Sequence, residues 1–130
     1  MIITNSHFFS NSSEKSFTSN LSIALSSNNV ISILDVSGNK LGPAGAASLK
    51  KGIMASSSLH EINLGGNSIG DAGVAEISDA LATNTSITFL YLELNYIRNE
   101  GAASLARVLE FQRLTLLDLA FNHIAVDGAR

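Results

Sequence analysis

The 130-residue chain has no cysteine, no tryptophan, a single proline and only 15% charged residues. The missing cysteine excludes disulfides and thiolate metal ligands, and fits an intracellular setting. Eight Lys and Arg stand against eleven Asp and Glu, a formal net charge of −3. A nucleic-acid binder needs a basic footprint, so nucleic acid is not an expected partner. No run approaches the ~20 apolar residues of a transmembrane helix, so no membrane is expected either. The first residues, MIITNSHFFSNSSEK, lack a basic n-region, and Thr4, Asn5, Ser6 and His7 interrupt their apolar residues. They do not read as a signal peptide. Without a secretory route, the glycosylation sequons at Asn11, Asn20 and Asn84 read as chance matches in a chain rich in Ser and Asn.

What is present is apolar: 45% of the residues. That is a globular composition, and the length suits one domain, residues 1–130. A chain of this size buries roughly two thirds of its unfolded surface.

The apolar residues recur with a period. From Leu59 the chain reads LHEINLGGNSIGDAGVAEISDAL. Leu59, Ile62 and Leu64 have strand spacing; Asn67 and Ile69 follow; Val74, Ile77 and Leu81 then form a helical stripe. Twenty-eight residues earlier stand Ile31, Leu34, Val36, Asn39, Leu41, Ala46, Leu49 and Ile53. Twenty-eight residues later stand Ile87, Leu90, Leu92, Asn95, Ile97, Gly101, Ala102, Leu105 and Leu109. A last set, shifted by 27, has Leu114, Leu117, Leu119, Asn122, Ile124, Gly128 and Ala129. The units are 31–58, 59–86 and 87–113, then a partial unit 114–130. Residues 1–30 form a degraded first unit or cap. Its helix stripe is Thr18, Leu21, Ala24 and Leu25; its strand half fits at Ile3 and Phe8 but puts Ser6 in a core position. Terminal repeats are expected to be atypical. Strands are predicted to centre on 33–36, 61–64, 89–92 and 116–119, with helices over 14–26, 43–54, 71–82 and 99–110.

Each repeated position has a physical reason. Alternate strand residues point inward, and the helical stripe faces the same core from the other side. The asparagines at 39, 67, 95 and 122 stand where the backbone leaves the strand. An Asn side chain has two donors and an acceptor, so it satisfies turn groups that no ladder reaches. Stacked, Asn39, Asn67, Asn95 and Asn122 form a structural ladder. One unit cannot bury its apolar face alone, whereas stacked units can.

The pattern LxxLxLxxNxLxxxGAxxLxxxL closely resembles the leucine-rich repeat of the ribonuclease-inhibitor type. The resemblance covers residues 31–130 well and 14–30 partly. Similar repeats occur in ribonuclease inhibitor, NOD-like receptors, Ran GTPase-activating protein and effectors of intracellular bacteria. Many vertebrate members alternate Asn with Cys at the ladder position; here all four are Asn. The resemblance implies an α/β fold: a curved solenoid with a parallel sheet on its concave side and helices on its convex side.

In that fold the concave face comes from the non-core strand positions. These are Ile33, Asp35, Ser37 and Gly38; Glu61, Asn63, Gly65 and Gly66; Phe89, Tyr91, Glu93 and Leu94; Leu116, Asp118, Ala120 and Phe121. Neighbouring strands lie about 4.8 Å apart, which makes rows: Ile33–Glu61–Phe89–Leu116 and Asp35–Asn63–Tyr91–Asp118. The sixteen positions hold four acids and none of the eight basic residues. Aromatic residues beside carboxylates compose a binding hot spot. The candidate partner-binding residues are therefore Asp35, Glu61, Asn63, Phe89, Tyr91, Glu93, Leu116, Asp118 and Phe121. Leu94 and Phe121 have a second reading, folded back over the core or the turn.

No catalytic, metal or cofactor site is expected. Asp35 and Asp118 are separated by two strands, and no serine sits in a nucleophile elbow. Gly65 and Gly66 follow a strand but lack a phosphate-loop Lys and Ser or Thr, and read as turn chemistry. His60 and His123 read as solvated, and Lys50–Lys51 as a solvated helix face.

The leading expectation is a non-enzymatic protein–protein interaction module, cytoplasmic, with an unidentified protein on its concave face. The resemblance, the small size and the Ser/Asn-rich start fit a bacterial effector secreted into the cytoplasm of a host cell. The alternatives are a regulator of a small GTPase or a fragment of a larger NOD-like-receptor-type array. The last unit stops before its helix, leaving the edge at Leu117 and Leu119 uncovered. Such an edge recruits another chain, so the expectation is self-association there or a longer natural chain.

Overall fold

Within each unit apolar residues alternate along a short strand and then recur at helical spacing, so one segment offers two apolar edges to one interior. A computed structural model describes residues 2–3, 14–27, 30–111 and 113–125. Among these, strands and helices alternate: β1 (Ile2–Ile3), α1 (Glu14–Ser27), β2 (Ile33–Asp35), α2 (Gly42–Ala55), β3 (Glu61–Asn63), α3 (Gly70–Thr83), β4 (Phe89–Tyr91), α4 (Asn99–Leu109) and β5 (Leu116–Asp118). The expected helices fall within one residue of these bounds at each end. The strands make one sheet, β1-β2-β3-β4-β5, and every pairing is parallel.

The register stacks equivalent residues. Leu34 pairs with Ile62, Ile62 with Leu90, and Leu90 with Leu117. Leu34, Ile62 and Leu90 are buried, as are the facing helix stripes Ala46, Leu49, Ile53 and Val74, Ile77, Leu81. Each such Leu or Ile contributes about 1.5–3 kcal/mol by leaving water. Leu114, Leu117 and Leu119 of the last coil are only partly buried. Gly128 and Ala129 lie outside the described residues, as do Ser6, Phe8 and Asn11.

Helix α1 packs as the repeat predicts: Thr18, Leu21 and Leu25 are buried. The strand register of this first unit differs from the expectation. Ile3 pairs with Leu34, the core position assigned above to Ser6. From that position to the first helix-stripe residue is 12 residues in the next unit (34 to 46) and 15 here (3 to 18). Three extra residues between strand and helix place an isoleucine, not a serine hydroxyl, beside the core. A longer connection costs little, and a hydroxyl there would need a partner.

The asparagines form the expected ladder. Asn67 Oδ1 accepts the N–H groups of Asn39 and Leu41, and its Nδ2 donates to the Val36, Leu64 and Gly65 carbonyls. Asn95 serves Asn67 and Ile69 in the same way, and Asn122 serves Asn95 and Ile97. A second asparagine does similar work on the opposite turn. Asn84, 1% exposed, donates to the Ile53 and Ser56 carbonyls and accepts from the N–H groups of Ser86 and Ile87. The acceptor asparagine of that sequon is therefore buried and structural.

Lys50 also differs from the expectation of a merely solvated face. Its ammonium bridges to α3, 3.3 Å from Glu76 and 3.2 Å from Asp79. Both carboxylates raise its pKa, with the Asp79 hydrogen bond the largest cause.

Candidate functional site

Strands of three residues leave one residue pointing inward and two pointing out, so β2 to β5 each present their first and third residues on the concave face. Parallel register then builds rows across the sheet. Ile33, Glu61, Phe89 and Leu116 make one; Asp35, Asn63, Tyr91 and Asp118 make the next. Both rows are as expected. Phe89 and Tyr91 are half-buried with Glu61, Asn63, Leu116 and Asp118 as their cross-strand neighbours.

Three residues of the second row already hold their own turns. Asp35 Oδ1 accepts from the Ser37 N–H and hydroxyl at 3.0 and 2.7 Å. Asn63 Oδ1 accepts from the Gly65 N–H at 2.9 Å, and Asp118 Oδ1 from the Ala120 N–H at 2.9 Å. Each side chain caps the turn that follows it. Tyr91 has no such acceptor, and its ring is the one member of the row that the fold leaves uncommitted in this way.

Glu93 lies across the sheet over Gly65. A Cβ at position 65 would collide with the Glu93 carboxylate, so the glycine provides the floor on which that carboxylate rests. Partial burial raises the Glu93 pKa; the Asp118 carboxylate adds repulsion and a shared hydrogen bond, and Asp35 adds a smaller repulsion. Two of the other three carboxylates expected on this face, Asp118 and Asp35, thus act on Glu93. Among the described residues no group of three His, Cys, Asp or Glu is placed to hold a metal ion.

Where the chain leaves the sheet, the backbone turns left-handed at Gly38, Gly66, Leu94 and Phe121, with φ of 70°, 64°, 57° and 57°. Leu94 is 55% exposed and Phe121 79% exposed, so neither folds back into the core. Two residues further on, Lys40, Ser68 and Tyr96 are left-handed as well. Tyr96 stacks on His123, ring centroids 5.6 Å apart and 10° from parallel. The sequence singled out Leu94 and Phe121 but missed Tyr96 and the role of Gly65. Setting the repeats in columns carries the signal: two glycines and two bulky residues share one column.

The model of the leucine-rich repeat matches residues 27–50, 55–78, 83–106 and 112–130, most of the chain. The chain belongs to the leucine-rich repeat family. No curated protein matches its sequence. Among solved structures it is similar to leiomodin-1 actin-binding site 2, with a TM-score of 0.72 and 19% identity, over 99% of this chain and 71% of that one. The family and the fold are those of a protein-interaction module. No helix among the described residues is long and apolar enough to cross a membrane.

Proposed function

We propose that this leucine-rich repeat chain is a non-enzymatic module that takes a partner protein on its concave face, at a surface centred on Tyr91. The observation that carries the reading is the pairing of Phe89 and Tyr91 with Glu61, Leu116 and Asp118 across adjacent strands. Half-buried aromatic rings among carboxylates have the composition of an interface centre, where a few large side chains dominate binding. Asp35, Asn63, Glu93 and Phe121 border it. The four acids on this face repel a phosphate backbone, so the partner is a protein and not a nucleic acid. The absence of cysteine fits a cytoplasmic protein, and the all-Asn ladder, the small size and the Ser/Asn-rich start fit a bacterial effector acting inside a host cell.

The similar structure is named for binding actin, which makes actin a defined first partner to test beside a pull-down from candidate host and native lysates. Phe89→Ala and Tyr91→Ala are each expected to weaken the captured partner by more than about 1 kcal/mol, as hot-spot truncations do. Glu61→Lys with Glu93→Lys is expected to slow association and flatten its salt dependence. Full affinity in the Tyr91→Ala protein would move the site off this face.

A further inference from the structure

Counting the coils from β2, the turn that follows each strand is left-handed in coils one to four, at residues 38, 66, 94 and 121. Glycine enters this region freely, whereas a side chain is disfavoured there. Coils one and two use Gly38 and Gly66; coils three and four force Leu94 and Phe121 into the same conformation. A strained backbone is tolerated when the side chain gains packing, but these two side chains stay 55% and 79% exposed. Folding therefore gains nothing visible from them.

They are also neighbours. The Leu94 N–H donates to the Ala120 carbonyl at 3.1 Å, which sets Leu94 beside Phe121 in the next coil. Tyr96, 60% exposed and stacked on His123, stands two residues along the same turn from Leu94. On the strand side the patch is bordered by Glu93 and Asp118, whose carboxylates are close enough for Asp118 to raise the Glu93 pKa. No Lys or Arg stands among the sixteen concave positions to neutralise them. Exposed apolar surface next to uncompensated carboxylates is complementary to one kind of ligand.

We propose that Leu94, Phe121 and Tyr96 dock a basic–apolar peptide segment of a partner protein, its aromatic or leucine side chain on the patch and its Lys or Arg against Glu93 and Asp118. This rests on the reading of the chain as an interaction module. It extends the site from the strands onto the turns and names the partner's chemistry.

The test uses the whole chain and a phage-displayed random dodecapeptide library, followed by fluorescence anisotropy with the recovered peptides. The key variant is Leu94→Gly with Phe121→Gly. Glycine is what coils one and two carry at these turns, so the variant is expected to melt at or above the wild-type temperature. The expected consensus has Lys or Arg within a few residues of an aromatic or leucine. The double variant is expected to bind it at least about tenfold more weakly. Glu93→Gln with Asp118→Asn is expected to weaken binding and reduce its salt dependence. An acidic or purely apolar consensus, no recovered peptide, or full binding by the double variant overturns the proposal. Binding lost in Tyr91→Ala but kept in the double variant overturns it while leaving the concave-face reading intact. A dimer in sedimentation that the double variant dissolves would assign the patch to a second copy of the chain instead, and overturn it as well.

Discussion

Asn67 Oδ1 accepts two backbone N–H groups from the preceding coil, Asn39 at 2.9 Å and Leu41 at 3.2 Å. One buried side-chain oxygen thus holds both ends of a neighbouring turn. The residue links coils through space, and its removal orphans groups in two of them.

Asn67→Ala is expected to destabilise the chain by about 1–3 kcal/mol, because its partners stay buried and unpaired. Asn122→Ala should cost less. Asn122 serves Asn95 and Ile97 in the same way but is only half-buried, so water reaches the vacated groups. Urea melts of both variants compare the two losses directly, and equal losses contradict the ladder argument.

Asn84→Ala is expected to cost about as much as Asn67→Ala, again about 1–3 kcal/mol. It removes two donors and an acceptor from a site that is 1% exposed. A urea midpoint unchanged from wild type would show that the turn from α3 to β4 stands without it.

Gly52→Ala reverses the usual sign. Alanine in a helix interior gains about 1 kcal/mol over glycine. Here the new Cβ would stand 2.6 Å from the Ser22 carbonyl oxygen and 2.8 Å from its Cα, in the backbone of α1. Helix α1 must move, and overpacking of that kind costs about 1–3 kcal/mol. The Gly52 N–H, which donates to Ser22 Oγ at 2.8 Å, is strained with it. Calorimetry is expected to show a lower melting temperature; a higher one would mean that α1 yields freely.

Glu93 makes stability fall with rising pH. Burial and then Asp118 raise its folded pKa above the unfolded value of about 4.3. Its folded form therefore binds the proton more tightly, and the favourable contribution present below the unfolded pKa is lost as pH climbs through the folded one. Glu93→Gln is expected to raise the melting temperature at pH 7, with the gap to wild type closing near pH 4. A constant gap at both pH values would remove ionisation of Glu93 as the cause.

The spans of α1 to α4, the parallel rows and the Asn39–Asn67–Asn95–Asn122 ladder were all legible in the sequence. Each depends on a period of 28 or 27 residues, and a period identifies which positions stack without any coordinates. The concave rows through Phe89 and Tyr91 followed from the same period. What the period could not carry was decided between coils. Ile3 took the core place of Ser6 because the connection to α1 is longer. Asn84 became structural because the Ile53 and Ser56 carbonyls, some 30 residues earlier, turn toward it. Lys50 found Glu76 and Asp79 on the adjacent helix. Glu93 lies flat because Gly65 leaves room. Leu94 and Phe121 share their left-handed φ with Gly38 and Gly66 because stacked coils impose one backbone path on every residue in the column, whatever its own preference.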